Sequence, residues 1–119
     1  MKEERRKTPR VHTEHLVSYK VVDERGETDE MGMARTLDLS EGGLVLEMAH
    51  PFGEGVQLEI KMVSADQILE AMGRVVYSKL LASESWRVGV AFTEITEGDL
   101  ATIAREVEQR RREEVGVDD

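Results

Sequence analysis

Apolar and polar residues alternate repeatedly between Val17 and Phe92. Successive side chains of a strand point to opposite faces, so this period of two predicts strands with one buried face. The clearest strand spans residues 56–62, where Val, Leu, Ile and Met alternate with Gln, Glu and Lys. The others are predicted near residues 17–21, 33–37, 44–48, 71–78 and 86–92. Six short antiparallel strands are typical of a barrel or a sandwich.

The period changes after Thr96. Thr96 is followed three residues later by Asp99, a pattern typical of a helix N-cap. Apolar residues then recur at helical spacing, at Leu100, Ile103, Ala104 and Val107. We therefore expect one C-terminal helix that packs on the strands.

The chain has 119 residues, which accommodate one domain and exclude a multidomain enzyme. It has no cysteine, so it has neither a disulfide framework nor a thiol nucleophile. Its first residues do not resemble a signal peptide, and no apolar run reaches the length of a membrane span. We expect a cytoplasmic protein that does not insert into a membrane.

The charges are distributed unevenly along the chain. The net charge is −9, which would repel a nucleic acid or an anionic membrane at long range. Residues 1–10 nevertheless hold five basic and two acidic side chains, whereas the other 109 residues hold 11 basic and 23 acidic ones. A short cationic arm on an acidic body favours a compact anion as the ligand over a long polyanion.

The first motif is the basic run Arg5-Arg6-Lys7-Thr8-Pro9-Arg10. Pro9 disfavours helix at the preceding residue, so we expect the run to be extended or turned. In an extended segment Arg6 and Arg10 point to the same side, roughly 13 Å apart. Guanidinium groups at that spacing can bind phosphate oxygens or guanine. A solvated tail is the alternative interpretation.

The second motif is Asp38-Leu39-Ser40-Glu41-Gly42-Gly43, between two predicted strands. A structural turn is one interpretation, because Asp, Ser and Gly favour turns. Ligand binding is the other. A carboxylate can accept hydrogen bonds from the N1 and N2 donors of guanine, a hydroxyl can add another, and a glycine allows close approach to the backbone.

The two motifs together, in this order and ahead of these strands, resemble those of the PilZ domain family. The segments Gly73-Arg74-Val75-Val76-Tyr77 and Arg87-Val88-Gly89-Val90-Ala91-Phe92 also look like the last strands of that family. The resemblance implies a mainly β fold: a six-stranded antiparallel β-barrel of the split-barrel type with a C-terminal α-helix. We expect a single PilZ domain with a flexible basic arm at residues 1–14, a barrel at 15–95 and a helix at 96–115.

The resemblance also implies a ligand, the bacterial second messenger cyclic di-GMP, and no other cofactor. Arg6 and Arg10 match the arginine pair of the family, and Asp38, Ser40 and Gly43 match its second motif. In the family, an arginine at the position of Arg5 is associated with an intercalated dimer of the ligand, so Arg5 is a further candidate contact. Tyr77 stands where many relatives have tryptophan.

The expected function is therefore that of a receptor or adaptor that passes the signal, by a conformational change, to an unknown downstream protein in motility or biofilm regulation. The alternative is a PilZ-fold interaction adaptor that does not bind cyclic di-GMP. We expect no enzyme: His12, His15 and His50 lack metal-ligand spacing, and Ser40 has no apparent histidine partner. DNA or RNA binding is disfavoured because aromatic residues make up only 4% of the chain.

Overall fold

The structure, a computed structural model, describes residues 9–26, 30–82 and 84–114. Within these ranges the chain forms seven strands and one helix. In chain order they are β1 (Arg10–His12), β2 (Leu16–Val22), β3 (Glu30–Ser40), β4 (Gly43–Met48), β5 (Gln57–Ser64), β6 (Gln67–Leu80), β7 (Trp86–Ile95) and α1 (Glu97–Glu114).

Six of the strands form a closed antiparallel barrel, in the order β3-β2-β5-β6-β7-β4 and back to β3. The predicted six-stranded barrel with a C-terminal helix is therefore confirmed. The long strand β3 closes the barrel because one of its edges pairs with β2 and the opposite edge pairs with β4. From Glu30 to Arg35 it pairs with β2, and from Arg35 to Ser40 it pairs with β4, with a β-bulge after Thr36.

The interior of the barrel is filled by the apolar residues of the predicted alternation. In β5, Leu58, Ile60 and Met62 are buried, whereas Gln57 and Lys61 are exposed. Aliphatic side chains make up most of this core, as the low aromatic content requires. The strands are longer than predicted at several ends, because their terminal residues pair in the sheet without continuing the apolar pattern.

Residues 10–12 belong to the segment that the sequence analysis assigned to the N-terminal arm, but here they form β1. This strand lies on the same edge of β3 as β2. Between the β1–β3 and β2–β3 pairings, the amide of Thr36 donates a hydrogen bond to the carbonyl of His15 (2.9 Å). Val11, 2% exposed, anchors β1 in the core. A three-residue strand with one apolar residue contains no alternation that a sequence pattern could show.

The helix α1 begins where the sequence predicts. The Thr96 hydroxyl accepts a hydrogen bond from the amide of Asp99 (3.1 Å), so Thr96 is the expected N-cap. Ile103 and Val107 pack into the barrel core and are each 2% exposed. The helix therefore belongs to the same hydrophobic unit as the strands. No helix among the described residues is long and apolar enough to cross a membrane.

A polar cluster around Glu106 also holds α1 to the barrel. The Glu106 carboxylate accepts hydrogen bonds from Ser64 Oγ (2.7 Å) and Arg110 Nε (2.9 Å), and it lies 2.5 Å from His15 Nε2. Burial alone would raise the pKa of this carboxyl, but its three hydrogen-bond partners outweigh burial and lower the pKa. The charged form of Glu106 thus stabilises the contact between α1 and the barrel.

Replacing Glu106 by Gln should expose this contribution. We expect E106Q to lower the free energy of unfolding at neutral pH by about 1 to 2 kcal/mol, because hydrogen bonds to a charged group are lost. Folding lowers the pKa of Glu106, so the stabilisation is present above the ordinary carboxyl pKa of 4.5 and is lost as the pH falls through the folded-state pKa. Urea unfolding of both proteins at neutral pH and at about pH 3 measures the effect. A difference of the same size at both pH values would contradict it.

Candidate functional site

The pairing of β1 with β3 brings the two sequence motifs together. Arg10 lies opposite Ser40, and Asp38 is two residues further along β3. Between them Val11 lies opposite Leu39, and both are buried in the core, at 2% and 0% exposure. Side chains alternate across a strand, so Arg10, Asp38 and Ser40 all lie on the outer face of the barrel. The structure thus brings together Arg10, Asp38 and Ser40, and it places Gly43 opposite Ser40 on β4.

The same outer face continues across the neighbouring strands. In one row, Ser40 of β3 is followed by Gly43 of β4, Ala91 of β7 and Arg74 of β6. Three residues with small or no side chains therefore separate Arg10, at one end of the row, from Arg74 at the other. Neighbouring strands are about 4.8 Å apart, so this row of five strands spans about 19 Å. The result is a floor of low side chains with an exposed arginine at each end.

Ser40 and Gly43 also shape the turn between β3 and β4. The Ser40 hydroxyl accepts from the amide of Gly42 (3.1 Å) and donates to the carbonyl of Gly43 (3.3 Å). A Cβ on Gly43 would lie 2.1 Å from the carbonyl oxygen of Val90, so glycine is needed for β4 and β7 to approach this closely. Ser40 and Gly43 therefore have a structural role in this turn, independent of any ligand.

Asp38 forms an ion pair across the barrel surface. Its Oδ2 lies 3.1 Å from Nη2 of Arg87, which belongs to β7, and β4 runs between the two strands. Both side chains are partly accessible, at 22% for Asp38 and 31% for Arg87. A hydrogen bond with Tyr77, together with the Asp38 carboxylate, raises the pKa of Arg87 above its ordinary value. The carboxylate of the second motif is thus paired and remains within reach of solvent.

Tyr77 has its place on this face because position 89 is a glycine. Tyr77 of β6 lies opposite Gly89 of β7, and a Cβ on Gly89 would lie 2.3 Å from Cε2 of the tyrosine ring. The ring therefore lies directly against the backbone of β7. Next along this row is Val45 of β4, which is 4% exposed although it is on the outer side of the barrel and outside the core cluster.

Arg74 and Arg87 lie outside both sequence motifs, and no binding role was predicted for them. Both belong to the segments that resemble the last strands of the family, and the alternation of Arg87, Gly89 and Ala91 with Val88 and Val90 is typical of one shared face. The register of that face against Asp38 could not be read from the sequence. Two candidate residues of the first motif, Arg5 and Arg6, lie outside the described residues.

The arrangement is chemically suited to a ligand that has both hydrogen-bond donors and negative charge. The Asp38 carboxylate can accept N–H groups from the edge of a base, and the guanidinium groups of Arg10, Arg74 and Arg87 can donate to phosphate or carbonyl oxygens. Within the ranges that the structure describes, no group of three or more His, Asp or Glu side chains is arranged to hold a metal ion. The chemistry offered by this face is binding through hydrogen bonds and charge.

The sequence matches the model of a known family. A family model described as PilZ domain matches residues 4–109, which include both sequence motifs and most of α1. No curated protein shows significant similarity to this sequence.

Several solved structures are similar in fold. The Bacillus subtilis inhibitor of motility MotI/DgrA has a TM-score of 0.79 and 17% identity, over 91% of this chain and 52% of that chain. The PilZ domain of YcgR from Escherichia coli with c-di-GMP has a TM-score of 0.65 and 15% identity, over 93% and 97%. The K. pneumonia MrkH–c-di-GMP complex has a TM-score of 0.64 and 16% identity, over 92% and 51%. The chain thus spans about half the length of MotI and of MrkH, and at these identities the similarity shows the fold alone.

The close approach of β4 and β7 at Gly43 can be tested by adding a single methyl group. We expect Gly43→Ala to lower the free energy of unfolding by about 1 to 3 kcal/mol, because its Cβ would overlap the backbone of β7. Gly53→Ala is the matched control, since a Cβ at that position meets no atom within 4 Å. Urea denaturation measures both variants. Equal stability of the two would show that the spacing of β4 and β7 does not require glycine.

Proposed function

Because this chain belongs to the PilZ domain family, we propose that it is a receptor for cyclic di-GMP that passes the signal to a partner protein through a change of conformation. The observation that carries the proposal is the register of β1 with β3, in which Arg10 lies opposite Ser40 and beside Asp38 on one outer face. Two neighbours in fold, the YcgR domain and MrkH, are described in complex with c-di-GMP.

In this proposal each motif has a separate task. Arg10 and Arg6 bind the phosphates and stack on or hydrogen-bond to guanine, and Asp38 accepts the N1 and N2 donors of the guanine edge. Ser40 adds a hydroxyl, and Gly43 leaves space for the ligand above the floor. Arg5 is the further contact that would favour an intercalated dimer of the ligand. Both Arg5 and Arg6 enter on the family resemblance alone.

The energies are consistent with these contacts. A micromolar complex requires about −8 kcal/mol. Hydrogen bonds to charged groups contribute about 1.5 to 3 kcal/mol each. Two or three arginines together with Asp38 therefore supply most of this amount once the cost of ordering the arm is subtracted.

The described contacts also offer a route for the signal. The amide of His12 in β1 donates to Glu114 Oε2 of α1 (3.3 Å), and His15, just after β1, contacts Glu106 of the same helix. A ligand that binds Arg10 at the start of β1 can therefore displace a strand whose last residue, His12, is hydrogen-bonded to α1. We expect the partner protein to contact α1 or the arm and to respond to a change in its position. The proposed function is binding in the cytoplasm, without catalysis.

An adaptor that keeps the fold but binds no nucleotide is the second candidate. It is favoured by the structural roles of the motif residues themselves: Ser40 bonds within its turn, Gly43 fits against β7, and Asp38 pairs with Arg87. Each of these contacts can form in a barrel that has no ligand. A binding measurement separates the two candidates.

Isothermal titration calorimetry with cyclic di-GMP is that measurement. We expect saturable binding at micromolar concentration or below, and we expect Arg10→Ala to weaken it by about 2 kcal/mol or more, which is about 30-fold, because a charge-assisted contact is lost. Lys61→Ala on β5 removes the same charge from an exposed site on a strand that pairs with none of β1, β3, β4 and β7. It should bind like the wild type.

Two outcomes would contradict the proposal. No heat and no thermal shift with the wild-type protein would favour the adaptor that binds no nucleotide. Equal weakening by Arg10→Ala and Lys61→Ala would indicate a general effect of charge and not a site at β1. The stoichiometry of the wild-type titration tests the intercalated dimer that Arg5 implies.

A further inference from the structure

We propose that Arg87, which lies outside both motifs, is a positioning residue for ligand recognition: it orients and neutralises the Asp38 carboxylate and so sets the preference for guanine over adenine. The inference rests on the proposed function, because it assigns a role to Arg87 in that same site. It starts from one contact: Arg87 Nη2 lies 3.1 Å from Asp38 Oδ2. The two residues are 49 positions apart in the sequence.

Arg87 lies between Asp38 and Tyr77 on the outer face. Its guanidinium donates to the Asp38 carboxylate, from β3, and it also interacts with the Tyr77 hydroxyl, from β6, which raises the pKa of Arg87. The planar fork of an arginine can serve two such partners at once, whereas the ammonium of a lysine is a compact point charge without that geometry. Gly89 completes the arrangement, because only a glycine there leaves room for the Tyr77 ring. The contact with Arg87 thus orients the Asp38 side chain.

The ion pair also reduces the repulsion between the Asp38 carboxylate and an anionic ligand. Cyclic di-GMP carries two negative charges, so an unpaired carboxylate in its site would oppose binding. Pairing with Arg87 makes the net charge of the two side chains zero, and exposures of 22% and 31% leave both accessible to a ligand. The contact uses one carboxylate oxygen, and an ionised carboxylate has about four acceptor sites, so Asp38 keeps the capacity to accept two base N–H groups.

The expected consequence concerns selectivity. Guanine presents two adjacent N–H donors, N1 and N2, to a carboxylate, whereas adenine presents one donor beside an acceptor. A site built to pair with hydrogen-bonding groups discriminates strongly against an analogue that lacks them, provided that its own groups are held in place. Without Arg87, Asp38 gains rotational freedom and an uncompensated charge. Binding of cyclic di-GMP should weaken more than binding of cyclic di-AMP.

The test measures binding of both nucleotides by calorimetry. Arg87→Met keeps the length of the side chain and removes its charge and donors. We expect this variant to bind cyclic di-GMP about tenfold more weakly, with a smaller ratio of affinities between cyclic di-GMP and cyclic di-AMP. Arg87→Lys should restore part of the affinity and little of the selectivity. Arg112→Met is the control, because it removes the same charge from an ion pair with Glu108 (3.2 Å) within α1, away from this face, and it should change neither quantity.

A double-mutant cycle with Asp38→Asn separates positioning from direct contact. If Arg87 acts through Asp38, then Arg87→Met costs less than about threefold in the Asp38→Asn background. An undiminished cost there would overturn the inference in favour of direct contact with the ligand. Wild-type affinity and selectivity in a folded Arg87→Met or Arg87→Lys protein would overturn it outright. No binding by the wild type would overturn the proposed function and this inference together. If the wild type binds, the Arg87 variants test this inference separately from the proposed function.

Discussion

The second half of β3 is hydrogen-bonded on both edges, to β1 on one side and to β4 on the other. This double pairing decides which side chains share the outer face, among them Arg10, Asp38 and Ser40. A slip of one residue would turn these side chains towards the core and Leu39 towards water. The buried contact row of Val11 and Leu39 therefore holds the register, and the geometry of the polar face depends on the hydrophobic core behind it.

A net charge of −9 would at first disfavour an anionic ligand. Charges separated by more than about 8 Å are largely screened at physiological ionic strength, so the groups close to the ligand decide the binding energy. On the outer face these groups include Arg10, Arg74 and Arg87, and the carboxylates of Asp38 and Glu47 are both paired with arginines. The cationic face on an acidic body is suited to the small dianion proposed as the ligand.

Local patterns predicted the fold well, whereas the contacts of the site depend on distant pairings. The alternation in β5 and the N-cap at Thr96 are properties of a few consecutive residues, and both are confirmed. The strand β1 has one apolar residue, so no periodicity marked it. The pair of Asp38 with Arg87 depends on the register of β3, β4 and β7 across 49 residues, which no local pattern contains. The roles of Arg5 and Arg6 remain predictions from the family resemblance.

The proposed function assigns recognition of cyclic di-GMP to one outer face, formed by β1, β3, β4 and β7. Amide correlation NMR spectra of the isotopically labelled protein, recorded during titration with this nucleotide, would locate the binding face. We expect the largest shifts on residues 10–12, 38–43 and 87–91, while β2 and β5 on the other side of the barrel change little. Shifts concentrated on β2 and β5, or no shifts at saturating nucleotide, would contradict it.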